Sequence, residues 1–152
     1  DNKIVKRLND IKQGRTFDII VCLDVLEHIS SPKIFLSKIR DIASENAVLL
    51  MHFPNGESLD FKIKKQNWSM ITPLSHLHFF SKNSIQAMLK TTGWSEIFLK
   101  KYGREEIKNF KLFGFKSFVR LTLDTLGYGD QWLVKARAND TFERISNGQR
   151  NK

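Results

Sequence analysis

The spacing of apolar residues changes several times along the chain, and each change marks an element. Ile4, Val5, Leu8 and Ile11 recur at helical spacing and stop at Gly14, which predicts a short N-terminal helix with a glycine end. The run "FDIIVCL" at residues 17–23 is apolar on both faces and β-branched, the pattern of a central parallel strand covered on each side by helices. Ser31 then offers an N-cap with Pro32 at the first helical position, and Phe35, Leu36, Ile39, Ile42 and Ala43 supply a buried stripe. A second buried strand, "AVLLMHF" at residues 47–53, ends at the turn "PNG".

From residue 54 to about residue 80 no clean period is visible, and a loop of that length inside a domain is usually functional. A helix follows, capped by Ser81, with Ile85, Met88, Leu89 and Thr92 at helical spacing and Gly93 closing it. Residues 95–101 and 131–138 read as two further strands. In the last, Trp132, Val134 and Ala136 alternate with Lys135 and Arg137, which turns one face toward solvent. Strand, helix, strand, helix, strand is the order of an α/β sheet with helices packed on it.

Length and composition fit that picture. A chain of 152 residues with 41% hydrophobic content supports one domain, burying roughly 68–70% of its unfolded surface. Cys22 is the sole cysteine, so no disulfide framework exists and a reducing, cytoplasmic setting is expected. No apolar run approaches the ~18–20 residues of a membrane span. The chain begins at Asp1 rather than methionine, which suggests a piece of a longer protein or a processed product. A net charge of +9 would draw phosphate-rich partners, but the charge is dispersed and no recognition helix, zinc finger or RNA-binding aromatic signature accompanies it. Nucleic acid is therefore not the expected partner.

The chemistry concentrates in two short stretches. "DVLEHISSP" at residues 24–32 places two acids and a histidine directly after a buried strand, and ligands of open α/β sheets bind beyond the carboxyl ends of their parallel strands. Cys22, Leu23 and Asp24 lie at such an end. Glu27, expected to be partly exposed, and His28 can also simply cap and hydrogen-bond the next segment. In "SHLHFF", His76 and His78 are two apart and share a face of an extended segment. Such a pair can ligate a metal, although no third ligand is fixed by spacing, and either can act as a base near neutral pH. Trp68 is a candidate substrate wall on the same long loop.

With "FDIIVCLDVLEHISSPKIFLSKI", "AVLLMHFPN" and "PLSHLHFFSKNSIQAMLKTTGWSEI" in this order, the chain resembles the second half of a class I S-adenosylmethionine-dependent methyltransferase. The likeness is greatest to the branch of ubiquinone-pathway O-methyltransferases and of unassigned small-molecule and glycan methyltransferases. It runs from about residue 17 to 101, with residues 132–137 fitting a last strand. The resemblance implies an α/β, Rossmann-like methyltransferase fold, truncated to strands four to seven with their flanking helices. It implies that Cys22, Leu23 and Asp24 line the cofactor pocket beside the methionine and sulfonium portion. By the same resemblance Asp24, Glu27 and His28 match a site for a divalent cation such as Mg²⁺, which would polarise a substrate hydroxyl. His76 and His28 are the candidate catalytic bases, and Trp68 and His78 the candidate substrate contacts at the pocket rim.

The glycine-rich turn that cradles the cofactor and the acid that holds its ribose are both missing from the sequence. Residues 1–138 are therefore expected to be a partial methyltransferase domain that needs upstream residues for activity, and residues 139–152 a polar, flexible tail. The strand at residues 17–23 would then present an unpaired apolar edge, open to self-association or covered by residues 2–13. Residues 107–126 interleave Phe110, Phe113, Phe115 and Phe118 with Lys108, Lys111, Lys116 and Arg120. That segment is either a packing helix or a peripheral contact to an anionic membrane. The expected activity is methyl transfer, by preference to oxygen, on a small molecule or glycan. The rival readings are a non-catalytic binding module using the basic aromatic segment, and an RNA-binding or RNA-modifying methyltransferase.

Overall fold

A computed structural model describes Ile11 and residues 14–72, 75–102 and 129–139. Most of the expected N-terminal helix, the basic aromatic segment 107–126 with its four phenylalanines, and the tail beyond Asn139 lie outside the described residues. Among the described residues four strands form one sheet: β1 (Phe17–Leu23), β2 (Ala43–Pro54), β3 (Trp94–Tyr102) and β4 (Gln131–Ala138), in the spatial order β1-β2-β4-β3. β1 and β2 run parallel, whereas β4 is antiparallel to both β2 and β3. Helix α1 (Pro32–Asp41) lies between β1 and β2, and α2 (Leu59–Lys64) and α3 (Lys82–Thr91) between β2 and β3, with single 3-10 turns at Leu26–His28 and Lys65–Asn67.

One core holds the sheet and two helices together. Leu36 and Ile39 of α1 and Ile85 and Leu89 of α3 pack on Leu49, Met51 and Phe53 of β2 and on Trp132, Val134 and Ala136 of β4. The alternation expected of β4 is borne out, with Trp132, Val134 and Ala136 buried and Arg137 exposed. Buried indoles find acceptors: Trp94 Nε1 donates to the Leu36 carbonyl at 3.2 Å and Trp132 Nε1 to the Phe80 carbonyl at 3.0 Å.

β1 departs from the doubly covered strand that its composition suggests. Its alternate residues Ile20 and Cys22 turn toward the core, but Ile19, Val21 and Leu23 are 66%, 54% and 57% exposed, and β2 is its one partner among the described residues. A continuous apolar run signals two faces that can be buried; it does not say which elements bury them.

Helix ends follow local chemistry. Ser81 and Ser84 exchange side-chain and backbone bonds in a capping box at the start of α3, and Gly93 takes φ 79 just past its end. Ser31 occupies the N-cap of α1 as expected, with Pro32 at the first position, but its side chain makes no capping bond. Ile42 and Ala43 do not extend α1. Ile42 is its C-cap and Ala43 opens β2, where Phe17 N–H bonds the Ile42 carbonyl at 2.9 Å.

The long connection after β2 contains structure that its irregular period hides. Ser58 caps α2 by accepting from Phe61 N–H at 3.0 Å. Asn55 is fully buried and acts as a clasp. Its Nδ2 donates to the Gly129 carbonyl at 2.6 Å, its Oδ1 accepts from Glu57 N–H at 2.8 Å, and its own N–H donates to the Asp130 carbonyl at 2.9 Å. Gly56 N–H donates to the Phe80 carbonyl at 3.1 Å. These bonds seat the returning segment that carries His76 and His78 beside the carboxyl end of β2.

Candidate active site at the carboxyl ends of the parallel strands

The chain leaves β1 through Asp24, a non-glycine residue in the left-handed region at φ 52. Asp and Asn tolerate that region better than other side chains, yet it still costs free energy and is found where surrounding contacts impose it. Here the contacts come from the neighbouring strand. Asp24 N–H donates to the His52 carbonyl at 2.9 Å, and the ring of His52 approaches Asp24 Oδ1 through Nδ1 at 2.8 Å. Register puts Leu23 beside His52, so both residues stand at the carboxyl end of the parallel pair.

The 3-10 turn that follows drives Glu27 inward. Its side chain is 1% exposed, contrary to the partial exposure expected, and Oε2 has no hydrogen-bond partner among the described residues. Its backbone carbonyl accepts from Leu77 N–H at 2.8 Å and His78 N–H at 3.2 Å. Burial raises the Glu27 carboxyl above its ordinary range. A hydrogen bond from its own backbone and the charge of His28 oppose the rise, Asp24 adds to it, and His76 opposes it.

Two imidazoles flank this acid. His28 Nδ1 donates to the Ser75 carbonyl at 2.6 Å, and its Nε2 lies 3.8 Å from Glu27 Oε1. His76 Nδ1 donates to the Met70 carbonyl at 2.6 Å, and its ring meets that of His28 with centroids 4.8 Å apart and planes at 60°. One ligand atom from each of Glu27, His28 and His76 lies within 4.8 Å of the others.

The remaining candidates have other surroundings. Cys22 turns into the core, where burial pushes its thiol up to about 11. Leu23 and Asp24 are open at the strand end. Trp68 is buried among Phe61 and Phe79, each with ring centroids 5.4 Å from its own. His78 stacks on Phe80, and its Nε2 is buried without a partner among the described residues. The cation set expected at Asp24, Glu27 and His28 is divided. Asp24 pairs with His52, while Glu27 and His28 gather with His76. His52 escaped the sequence reading because it sits within an apolar strand, and only the parallel register brings it level with Leu23 and next to Asp24.

A family model described as a methyltransferase domain matches residues 2–97. The chain belongs to that family. No curated protein matches it in sequence. Among solved structures, the methyltransferase domain is similar to magnesium protoporphyrin IX methyltransferase from Synechocystis, crystallised with S-adenosylhomocysteine, at 14% identity and TM-score 0.57, covering 90% of this chain and 50% of that one. It is similar to a possible histamine N-methyltransferase from Thermotoga maritima at 12% identity and TM-score 0.57, covering 81% and 56%. A third likeness is to the putative methyltransferase of Haloferax volcanii, solved with a methyltransferase activator, at 10% identity and TM-score 0.61, covering 90% and 60%. The sheet with its helices is thus the Rossmann-like fold of S-adenosylmethionine-dependent methyltransferases, and the chain spans between half and three-fifths of these relatives' length. Among the described residues no helix is long and apolar enough to cross a membrane.

Proposed function

We propose that the protein transfers a methyl group from S-adenosylmethionine to an oxygen of a small molecule or glycan, with the acceptor held over the carboxyl ends of β1 and β2. The observation that carries this reading is the collection of Asp24, Glu27, His28, His52 and His76 at that end of the sheet, as the pair Asp24–His52 and the cluster Glu27, His28 and His76. The cofactor brings a methyl group on a sulfonium centre together with an ammonium. Leu23 and Asp24, exposed at the strand end, suit it as an apolar wall and a carboxylate for the cationic portion. Histidines 28 and 76 each spend Nδ1–H on a backbone carbonyl, so in the neutral rings Nε2 carries the lone pair that can take the acceptor's proton. Proximity and alignment supply most of the remaining rate.

The glycine turn and ribose-binding acid belong to residues upstream in this reading. Calorimetric titration with S-adenosylmethionine tests it on two forms, the 152-residue chain and a natural form extended upstream. The extended form should bind at micromolar concentration and pass a radiolabelled methyl group to hydroxylated acceptors, and the short chain should bind negligibly. Saturable micromolar binding by the short chain would overturn the upstream requirement. Absence of both binding and transfer in the extended form would overturn the function.

A further inference from the structure

We propose that Glu27, His28 and His76 form a binding site for a divalent transition-metal ion, with zinc as the occupant that the ligand set suits best. Three independent features point to it. Glu27 is buried to 1% exposure with Oε2 unpartnered among the described residues, and a buried carboxylate oxygen without a donor is satisfied by a proton or by a bound cation. Both imidazoles have Nδ1–H fixed on backbone carbonyls at 2.6 Å, the outer-sphere arrangement that sets the tautomer and ring orientation of metal-bound histidines. The candidate ligand atoms already lie within 4.8 Å of one another. Zinc bonds of about 2.0–2.2 Å place neighbouring ligands about 3.3 Å apart, a closure of up to about 1.5 Å from the 4.8 Å spacing.

The backbone holds the cluster together across a long sequence interval. The Glu27 carbonyl accepts from Leu77 and His78, and the His28 ring is tied to Ser75, so the 3-10 turn and the returning segment move as one piece. Two imidazole nitrogens and one carboxylate are the donors of open zinc sites, whereas magnesium and calcium favour oxygen ligands throughout. His28 is 36% exposed, which leaves a face for entry of the ion and for a fourth ligand. Asp24 is outside the set, held instead by His52. An ion here would lower the acceptor hydroxyl's pKa by charge, in place of proton uptake by an imidazole. That role rests on the methyl-transfer reading; the site itself does not.

Calorimetric titration of chelator-stripped protein with Zn²⁺, and of a parallel sample with Co²⁺ followed by visible absorption, provides the test. One saturable equivalent is expected, with cobalt bands of four- or five-coordination. Glu27→Gln and His76→Asn should each weaken zinc at least about 10-fold, and Asp24→Asn should leave it unchanged. Circular dichroism checks each fold, and His28→Asn, at the exposed member, carries the test if His76→Asn does not fold. No saturable uptake, or uptake lost in Asp24→Asn but kept in His76→Asn, would overturn the site. Zinc binding without methyl transfer in the upstream-extended form would fault the function alone, and methyl transfer by that form without zinc binding would fault the site alone.

Discussion

Asp24 and His52 are joined twice across the ends of two parallel strands, by a backbone bond of 2.9 Å and by a side-chain contact of 2.8 Å. The double link holds Asp24 at its positive φ and aims its carboxylate at the mouth of the sheet.

Backbone conformation and side chain can be separated at Asp24. Asp24→Val should be less stable than Asp24→Asn by about 1–2 kcal/mol, because the left-handed region penalises a β-branched residue. Urea denaturation measures the difference, and equal midpoints would show that the strain is absent. A double-mutant cycle with His52→Ala should return a coupling of only about 0.2–1 kcal/mol, since the carboxylate is more than half exposed and screened by solvent.

Glu27 should behave in the opposite way. Its carboxyl is buried with one oxygen unpartnered, so Glu27→Leu in metal-free protein should be neutral or stabilising by about 1–2 kcal/mol. Methyl transfer by the same variant of the upstream-extended form should fall at least about 10-fold. A gain in thermal midpoint accompanied by full activity would remove Glu27 from the site.

The Cys22 thiol is raised to about 11 from an ordinary 9.0 by burial, so the folded protein holds its proton more tightly than the unfolded chain. Its contribution to stability is complete below about pH 9 and is lost as pH rises toward 11. At pH 8 about one thiol in a thousand is ionised, and a thiol-reactive disulfide should label Cys22 slowly, at the rate of local opening. Rapid labelling at pH 8 would contradict the buried position.

Asn55 ties its own turn to residues 129–130, and Asn55→Ala should cost about 2–3 kcal/mol by stranding the Gly129 carbonyl and the Glu57 N–H. Gly56→Ala acts on the same joint by crowding. A Cβ there would stand 3.0 Å from the Phe79 backbone, so the segment bearing His76 and His78 must shift. Histidine NMR shifts in Gly56→Ala should move even where the global fold survives; unchanged shifts would show that the joint does not position them.

The outward row of Ile19, Val21 and Leu23 should make the isolated chain associate with increasing concentration. Val21→Lys should reduce that association without altering the core, which Val21 does not enter. Sedimentation velocity across a concentration series reads the effect, and a concentration-independent monomer for the parent chain would dismiss it.

Periodicity carried the strands and the two long helices because burial of alternate or helically spaced side chains is what stabilises them. β1 at residues 17–23 and the start of α3 at Ser81 emerge from the sequence alone. α2 is half exposed and buries no residue fully, so it leaves no apolar stripe to read. The site was legible only in part. Adjacent residues 24–28 announce themselves, but the separation of Asp24 from Glu27 comes from one left-handed residue, and the meeting of His28 with His76 depends on a tertiary contact across the long connection.

Placing β4 between β2 and β3 has a consequence for synthesis on the ribosome. β3 has β4 as its partner in the sheet, yet β4 ends roughly 36 residues after β3. At about 5–20 residues per second the completed β3 waits roughly 2–7 s before its partner has been made. During that interval the nascent chain holds β2 and β3 with the edges that β4 will join still vacant, and Trp94 faces a core to which Trp132, Val134 and Ala136 have not arrived. Of the described strands the last to be translated is the one that joins β2 to β3, so this sheet closes only once residues 131–138 have been made.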